Sequence, residues 1–473
     1  MFYAIVYLVL FAVLGMLTRM TYSVAIALRR EKAASLGEAD ARQEYWLEKM
    51  EDSQRFLYLG MVLVVAAVVA FSYYVVLGTP WERHLMEWLN IVVRVTHMTF
   101  GIAWIGASFY FVFLENALNR TKDVREELAG NLWAVHGGGF YYLEKYKVAP
   151  QQIPKDLHWF KYEAYFTWLS GICLLFVVYY FNAAAFLIDK QVCDLSPVTA
   201  MGIGLGSFVL AWLLYDAGCK TALVKKGPLF ALLGFGVAAV FAYAYAHLFS
   251  ARAAYVHFGA MLGSIMAANV FFNIIPAQKE MVKAAKEGRP LDPVLGKNAG
   301  LRSLHNNYFT LPVLFVMVSN HFPSTFGHQY PWIVLLLISL GTAGIKHYLN
   351  LREKGQLSVW VVPISVLILL SAAFITAPAL HPGACGDVSF AQIQPIIAKR
   401  CTSCHSAKPT DDTWTAPPNG VVYDTPADVV KMKDKIMERV VLTQTMPQNN
   451  KTGMTPEERD LVRCWIESEK VRR

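Results

Sequence analysis

The sequence predicts an all-α protein in two parts: a bundle of about ten transmembrane helices over residues 1–381 and a small helical domain over residues 382–473. Of the 473 residues, 55% are hydrophobic and only 16% are charged, whereas soluble proteins average about 25% charged residues. The apolar residues lie in long blocks up to residue 380, and a cysteine-histidine motif follows in the last part. These observations favour a polytopic membrane protein with a cofactor-bearing C-terminal domain.

Ten apolar stretches are long enough to cross about 30 Å of hydrocarbon. They lie near residues 2–28, 56–79, 87–115, 162–188, 198–216, 228–249, 253–276, 304–322, 331–348 and 358–380. The eighth stretch is the weakest because Asn306, Asn307 and Asn320 interrupt it. Ten spans would place both termini on the same side of the membrane.

Positive charge is distributed unevenly between the connections. If the N-terminus is outside, the outside connections contain three Lys and Arg residues and the inside ones contain 25, over residues 29–55, 116–161, 217–227, 276–303 and 346–357. The positive-inside bias produces this asymmetry, which predicts that everything after residue 380 lies outside the cytoplasm. Topology thereby explains the net charge of +8. We expect a lipid bilayer as the partner of the spans and no nucleic acid.

The C-terminal part contains a haem-attachment motif. Residues 401–405 read Cys-Thr-Ser-Cys-His, the pattern in which Cys401 and Cys404 bond the porphyrin vinyl groups and His405 becomes an axial iron ligand. The alternatives are a chance match, a zinc site or a disulfide pair. The motif predicts one covalent haem c.

Helices on both sides of the motif support this interpretation. An amphipathic helix precedes it, with apolar positions at Val388, Phe390, Ile393, Ile396 and Ile397. A closing helix follows, where Thr455, Pro456 and Glu458 predict a capping box. Two helices around one haem provide a sufficient core for a class I-like cytochrome c domain.

The haem iron needs a second axial ligand, and Met446 is the favoured candidate. It precedes Pro447 in the loop before the closing helix, and a Met/His ligand pair raises the reduction potential. Met432 and Met437 occupy positions on an intervening helix, and Met454 lies close to the cap. Cys385 and Cys464 flank this domain, and the sequence leaves open whether they form a disulfide or two free thiols.

Ionisable residues in the predicted spans indicate function, since they are costly inside a bilayer. Arg94 and His97 lie three residues apart on one face of the third span, and His257 lies in the seventh. An imidazole beside a guanidinium suits either an iron ligand next to a haem propionate or the binding of an anionic substrate, and a b-type haem held by these residues is one hypothesis. The alternative is that Arg94 extends outward and His97 bonds a neighbouring helix.

A second polar group lies near the predicted inner face. It consists of His158, Glu163, His305, Asn306 and Asn307. An amide pair next to an imidazole at the entrance of a span can hydrogen-bond a flat polar heterocycle. These five residues are the candidate catalytic residues.

Four stretches resemble the bacterial membrane-bound urate oxidase (urate hydroxylase) family. They read VTHMTFGIAWIGASFY at 95–110, HGGG at 136–139, LHWFK at 157–161 and SLHNNYFTLP at 303–312. The order of membrane part and cytochrome is also similar, so the resemblance runs from about residue 87 to the end. It implies that urate is oxidised to 5-hydroxyisourate with oxygen from water. Electrons would leave through the c-haem to the respiratory chain without forming hydrogen peroxide.

The resemblance also implies a location and partners. We expect a bacterial inner (cytoplasmic) membrane protein with its cytochrome domain in the periplasm, and a soluble or membrane-bound respiratory electron acceptor such as cytochrome c or a terminal oxidase. Urate is a flat anion, and we hypothesise that an imidazole or Glu163 accepts a proton during its oxidation. The competing interpretation is a haem-containing membrane electron carrier, such as a quinol:cytochrome c oxidoreductase. A transporter or sensor with a fused cytochrome is less favoured because no internal repeat is evident.

Overall fold

The computed structural model describes residues 79–121, 123–150, 152–154, 157–377, 385–411, 414 and 416–471. The predicted span at 2–28, and that at 56–79 apart from its last residue, lie outside this part of the chain. The chain divides into two compact units, residues 1–94 and 95–473. Of the residues singled out above, Arg94 belongs to the first unit and the other candidate site residues to the second.

The described chain is mainly helical, as predicted. Its apolar part contains α1 (Pro80–Ala117), α2 (Tyr162–Leu175), α3 (Pro197–Cys219), α4 (Gly227–Leu248), α5 (Ala251–Ala268), α6 (Ile275–Lys286), α7 (Pro293–Ser319), α8 (Pro323–Phe326), α9 (Pro331–Glu353) and α10 (Val361–Ile375). Further turns of helix are the π-helical Phe176–Tyr180, Ala183–Leu187 and Asn269–Ile274, and the 3-10 turn Ala222–Lys225. Side chains of Ser196, Ser250 and Asp292 cap the N-termini of α3, α5 and α7, which supplies partners for their free backbone N–H groups.

Among the described residues, six helical stretches are long and apolar enough to cross a membrane. They are His84–Ala117, Tyr162–Tyr180, Pro197–Cys219, Gly227–Leu248, Ala251–Lys286 and Pro331–Glu353. Each coincides with a predicted span, but the count of ten is not confirmed. The predicted span 304–322 is the second half of α7, whose first half carries Lys297 and Arg302, and the predicted span 358–380 corresponds to α10, which has only 15 residues.

A two-stranded antiparallel sheet accompanies the helices and leaves the predicted all-α class unchanged. Strands β1 (Leu128–His136) and β2 (Gly139–Tyr146) pair with His136 opposite Gly139. Gly137 and Gly138 form the turn with φ values of 57° and 78°, a conformation that glycine adopts without steric cost. Aromatic and β-branched residues favour strands, and both strands contain them in a stretch that we had assigned to a connection.

The centre of the apolar part is α5, which packs closely on its neighbours. A Cβ atom on Gly259 would lie 2.5 Å from Val316 on α7, and one on Gly204 of α3 would lie 2.8 Å from the His257 ring. Small residues permit such close helix approaches. These close approaches hold α3 and α7 against the buried helix α5, and α4 packs in the same core.

The C-terminal part forms its own apolar core. It contains α11 (Phe390–Arg400), α12 (Pro426–Lys431), α13 (Lys433–Ile436) and α14 (Pro456–Val471), with the π turn Met437–Leu442 and 3-10 turns Pro418–Gly420 and Gln448–Asn450. Ile393 and Ile397 of α11 pack with Trp465 of α14 in this core, so the predicted amphipathic helix is confirmed. Cys385 and Cys464 form a disulfide with a Cα–Cα distance of 5.1 Å, which resolves the open alternative.

The predicted capping box of the closing helix is also present. The Thr455 backbone N–H donates to Glu458 Oε2 at 2.8 Å, and the Glu458 N–H donates to Thr455 Oγ1 at 3.2 Å. Arg400 of α11 donates to the same carboxylate from Nε and Nη2, each at 3.0 Å. These bonds from Arg400, with the cap, lower the pKa of Glu458 and tie the two helices together.

We expect Glu458→Gln to lower the stability of this domain at pH 7 by about 1 kcal/mol. Glutamine still fits the capping box, so the loss reports mainly on the charge. Because the folded-state pKa of Glu458 is depressed, its stabilisation is present above the unfolded value and disappears as pH falls through the folded value. Calorimetry of the full-length wild-type and variant proteins in detergent should show that their unfolding free energies become equal as the pH falls into the acid range. A stability difference that stays constant across this range would contradict the assignment.

Candidate functional site

Two of the predicted catalytic residues are held in a hydrogen-bonded network. His305 Nδ1 lies 2.8 Å from the Tyr215 hydroxyl. Asn269 donates to that hydroxyl at 3.2 Å and to Asn306 Oδ1 at 2.9 Å, and Asn306 donates to the Met266 carbonyl at 3.0 Å. The amide of Asn306 is therefore fully engaged in joining α7 to α5, and His305 is fixed in orientation by α3.

A buried ion pair anchors the same network. Arg302 Nη2 donates to Asp216 Oδ1 at 2.7 Å and Nη1 donates to Asn269 Oδ1 at 3.2 Å. Lys220 Nζ lies 2.6 Å from the other Asp216 oxygen. Arg302 and Asp216 are only 5% and 7% exposed, and a buried pair of this kind is tolerated when its remaining hydrogen-bonding groups are satisfied. We call these residues the Arg302–Asp216 network; the sequence analysis did not single out the pair.

Other buried polar groups lack partners within the described chain. Neither the nitrogen nor the oxygen of the Asn307 and Asn350 amides has a hydrogen-bond partner, and the same holds for Lys346 Nζ and Glu163 Oε2. Asn307 and Lys346 are 0% exposed and Asn350 is 3% exposed. An unmade bond to a buried neutral group costs about 1–3 kcal/mol, and an isolated buried charge costs more. We call these four residues the unpaired polar set.

Three members of the set lie on two helices, α7 and α9, that pack on each other. Lys346 and Asn350 are four residues apart and share a face of α9. The Tyr308 hydroxyl of α7 lies 2.7 Å from His347 Nδ1 of α9, so the two helices meet next to Asn307 and Lys346. A cation and two carboxamides on adjacent helices provide the donors and acceptors that a flat polar anion requires.

An aromatic ring completes this arrangement. Lys346 Nζ lies 3.6 Å from the centroid of the Phe109 ring of α1, and Asn116 of α1 donates to Glu353 of α9 at 3.1 Å. Helices α1 and α9 therefore run side by side at this depth. The ring partly compensates the ammonium charge through a cation–π contact, but it provides no hydrogen bond.

Sequence reasoning identified Asn307 and Glu163 but missed Lys346 and Asn350. Residues 346–357 were assigned to an inside connection, whereas α9 continues to Glu353. Lys346 therefore lies about 10 Å inside the helix end, at 1.5 Å per residue. A lysine followed four residues later by an asparagine, directly after an apolar stretch, was the signal that could have identified them.

The remaining predicted catalytic residue, His158, lies apart from this set. It is exposed in the connection before α2, and its ring contacts Phe160 with a centroid distance of 4.5 Å. Glu163 lies in the first turn of α2. The structure therefore separates the five predicted residues into a network pair (His305 and Asn306), two unpaired members (Asn307 and Glu163) and one exposed histidine.

The outer histidines make hydrogen bonds within the protein. His257 is 0% exposed, with Nε2 3.1 Å from the Tyr180 hydroxyl and Nδ1 2.8 Å from the Ala253 carbonyl, so both ring nitrogens are engaged. His97 Nδ1 lies 3.0 Å from the Thr167 carbonyl. Arg94 donates to Asn90 Oδ1 at 3.1 Å within its own helix. For His97 these contacts include an interhelical bond to α2. The b-type haem hypothesis for His97, His257 and Arg94 stays a prediction.

The Cys-x-x-Cys-His segment fits a covalent haem. Cys401 and Cys404 are both free thiols, and burial raises the pKa of Cys401 to about 12 and also raises that of Cys404. His405 Nδ1 lies 3.1 Å from the Val421 carbonyl, while Nε2 has no hydrogen-bond partner in the described chain. Burial lowers the pKa of His405, which favours the neutral imidazole that can ligate iron through Nε2.

The predicted second ligand, Met446, lies in a firmly held loop. Its N–H donates to the Arg439 carbonyl at 2.9 Å, and its own carbonyl accepts from Arg459 Nη1 at 2.7 Å. Met446 packs on the same core as Cys401. No group of three or more His, Cys, Asp or Glu side chains in the described ranges could hold a metal ion. A haem iron with one His and one Met ligand does not require such a group.

The comparisons with known proteins address the apolar part. No curated protein and no solved structure matches the chain. A family model described as "Urate oxidase N-terminal" matches residues 83–377, more than half of the chain, and this range includes the Arg302–Asp216 network and all four members of the unpaired polar set. The chain therefore belongs to the urate oxidase N-terminal family.

Proposed function

We propose that this chain is a membrane-bound urate oxidase of the hydroxylase type. Urate and water yield 5-hydroxyisourate, two protons and two electrons. The electrons pass to a haem bound at Cys401 and Cys404 and then to a respiratory acceptor, so that hydrogen peroxide is not formed. The family match supports a urate-related function, and the electron route rests on the haem-attachment motif.

The unpaired polar set is the observation that carries the proposal. Urate is a flat anion whose edge alternates N–H donors and carbonyl acceptors. Lys346 would neutralise its charge, the Asn307 and Asn350 amides would pair with its edge, and the Phe109 ring lies beside the ammonium. A bound ligand of this kind would satisfy groups that the protein leaves without partners.

Glu163 is the member of the set best suited to accept a proton. One of its carboxylate oxygens is buried without a partner, whereas the imidazole of His305 is oriented by Tyr215. Removing two electrons from urate makes its ring protons acidic, and Glu163 would accept one of them. The second proton would come from the water molecule whose oxygen becomes the new hydroxyl group.

The C-terminal domain would provide the electron exit. When bound, haem accepts one electron at a time. The hydrogen bond to the Val421 carbonyl would fix the orientation of the His405 ring. Arg459 would hold the Met446 loop by donating to the backbone carbonyls of Val440 and Met446. A position outside the cytoplasm would put this exit next to periplasmic acceptors.

The first test is anaerobic addition of urate to the oxidised, detergent-solubilised protein. We expect the haem absorbance to change to the reduced form. Cys401→Ala/Cys404→Ala protein should lack the covalent haem, and Met446→Ala protein should show a lower reduction potential. Reduction by a quinol but not by urate would exclude the proposed function and favour a membrane electron carrier.

Lys346→Met should separate ligand binding from stability. Methionine fills a similar volume without a buried charge, so we expect a higher unfolding temperature in the absence of urate. Loss of the counter-charge should lower kcat/KM for urate about 100-fold, or roughly 3 kcal/mol. Lys354→Met is the matched control, because Lys354 is exposed at the end of the same helix. It should change neither the unfolding temperature nor kcat/KM for urate. A stable Lys346→Met protein with normal kcat/KM would exclude Lys346 from the site.

Glu163→Gln tests the proton acceptor. The amide keeps the size of the side chain but cannot take a proton at neutral pH, so we expect kcat to fall by about 10²–10⁴-fold. Urate affinity, measured by equilibrium binding, should change much less. A parallel loss of affinity without loss of kcat would assign Glu163 to binding instead of proton transfer.

A further inference from the structure

The loop that follows Met446 contacts the apolar part of the same unit. Gln448 donates from Nε2 to the Ala185 carbonyl. Asn449 Nδ2 donates to the Ile188 carbonyl at 3.0 Å and to the Ala185 carbonyl at 3.3 Å. The acceptors belong to the π turn Ala183–Leu187 and the residue after it. Two consecutive amide side chains thus bind carbonyls at one helix end.

A second segment fits against the start of the same loop. Gly327, just after α8, approaches it so closely that a Cβ atom would lie 2.4 Å from the Thr443 carbonyl oxygen and 3.0 Å from Thr445. Contacts under 3.0 Å require something to move, so only glycine fits here without a shift. We call the surface formed by Ala185, Ile188 and Gly327 against residues 443–450 the loop contact.

The loop is held rigidly in the shape that makes this contact. Asn449 and Asn450 have φ values of 50° and 46°, in the left-handed region that asparagine tolerates better than most residues. The Asn450 side chain accepts from the Met454 N–H at 2.9 Å and donates to the Met454 carbonyl at 3.1 Å. The side-chain amides of Gln448 and Asn449 are therefore held in place before they bind the carbonyls of Ala185 and Ile188, which reduces the conformational entropy lost when the loop contact forms.

Aromatic rings reach the loop contact from inside the bundle. Phe186, within the π turn, contacts Trp414 of the C-terminal part with a centroid distance of 5.9 Å and Tyr179 at 6.4 Å. The neighbouring Tyr180 lies at the buried His257. Oxidisable tyrosine and tryptophan rings therefore extend from the bundle interior to the surface on which the Met446 loop rests.

We infer that the loop contact is the place where electrons enter the haem domain, with Gln448 and Asn449 as positioning residues. This inference rests on the proposed function. Met446 lies two residues before Gln448, so the contact brings the proposed ligand loop against the bundle, and electron transfer slows steeply as the separation grows. The two electrons released by urate cross singly, and the external acceptor removes the first before the second crosses. Tethering within one chain keeps the partners together even though each hydrogen bond is weak.

The test uses the full-length protein with Gln448→Ala/Asn449→Gly. Glycine retains the left-handed backbone conformation while removing the amide. Stopped-flow mixing with urate under anaerobic conditions should show haem reduction at least 10-fold slower than in wild type. Haem content, reduction by dithionite and equilibrium urate binding should all be unchanged. Asn419→Gly is the matched control, because Asn419 is an exposed asparagine with φ 54° in the same domain, and it should react at the wild-type rate.

A variant on the other side of the loop contact tests whether slower reduction results from the contact and not from a change within the haem domain. Gly327→Leu leaves the C-terminal sequence unaltered and should slow urate-driven reduction to a similar extent. Wild-type reduction rates in both proteins would overturn the inference while leaving the proposed function intact. Failure of urate to reduce the wild-type haem at all would overturn the proposed function and this inference with it.

Discussion

The buried ion pair between Arg302 and Asp216 fixes the geometry of the candidate site. A guanidinium buried among apolar helices must find acceptors for its N–H groups, because apolar side chains offer none. Asp216 of α3 and Asn269 at the end of α5 provide them, so three helices meet at one polar point. The orientation of His305, one helical turn from Arg302, depends on this point. The network is satisfied internally and therefore needs no ligand.

The contrast with the unpaired polar set follows from the same rule. Lys346 is also buried, and it makes a ring contact but no hydrogen bond within the described chain. A methionine would pack there at less cost, so stability alone does not explain an ammonium group at this position. Proteins accept such a cost where a group is kept ready for a ligand. Asn307 and Asn350 carry the same cost, and a single flat ligand could relieve all three.

Sequence patterns predicted what depends on neighbours along the chain. The capping box of Thr455 and Glu458 and the six apolar helices in the described residues are local features, and each lies where it was expected. The sequence could not predict that the Asn306 amide is hydrogen-bonded while the Asn307 amide has no partner in the described chain. This difference depends on which neighbouring helix each amide faces. The end of α9 was placed too early because the lysine was interpreted as a loop charge. The sheet was missed because Gly137 and Gly138 were not recognised as a hairpin turn.

The separation of the two sites is a consequence of the helix positions. Asn307 lies 12 residues before the end of α7 at Ser319, about 18 Å along the helix axis, while the Met446 loop rests near the opposite end of the bundle, beside α8. In the proposed function, urate would be oxidised in a low-dielectric site, where Lys346 and the amides act most strongly. To reach the haem proposed at Cys401 and Cys404, its electrons would have to cross the protein. A fixed contact for the haem domain then becomes a requirement of the chemistry: a freely mobile domain would reach the bundle only part of the time. The close approach at Gly327 and the paired amides of Gln448 and Asn449 are the kind of contact that this requirement selects.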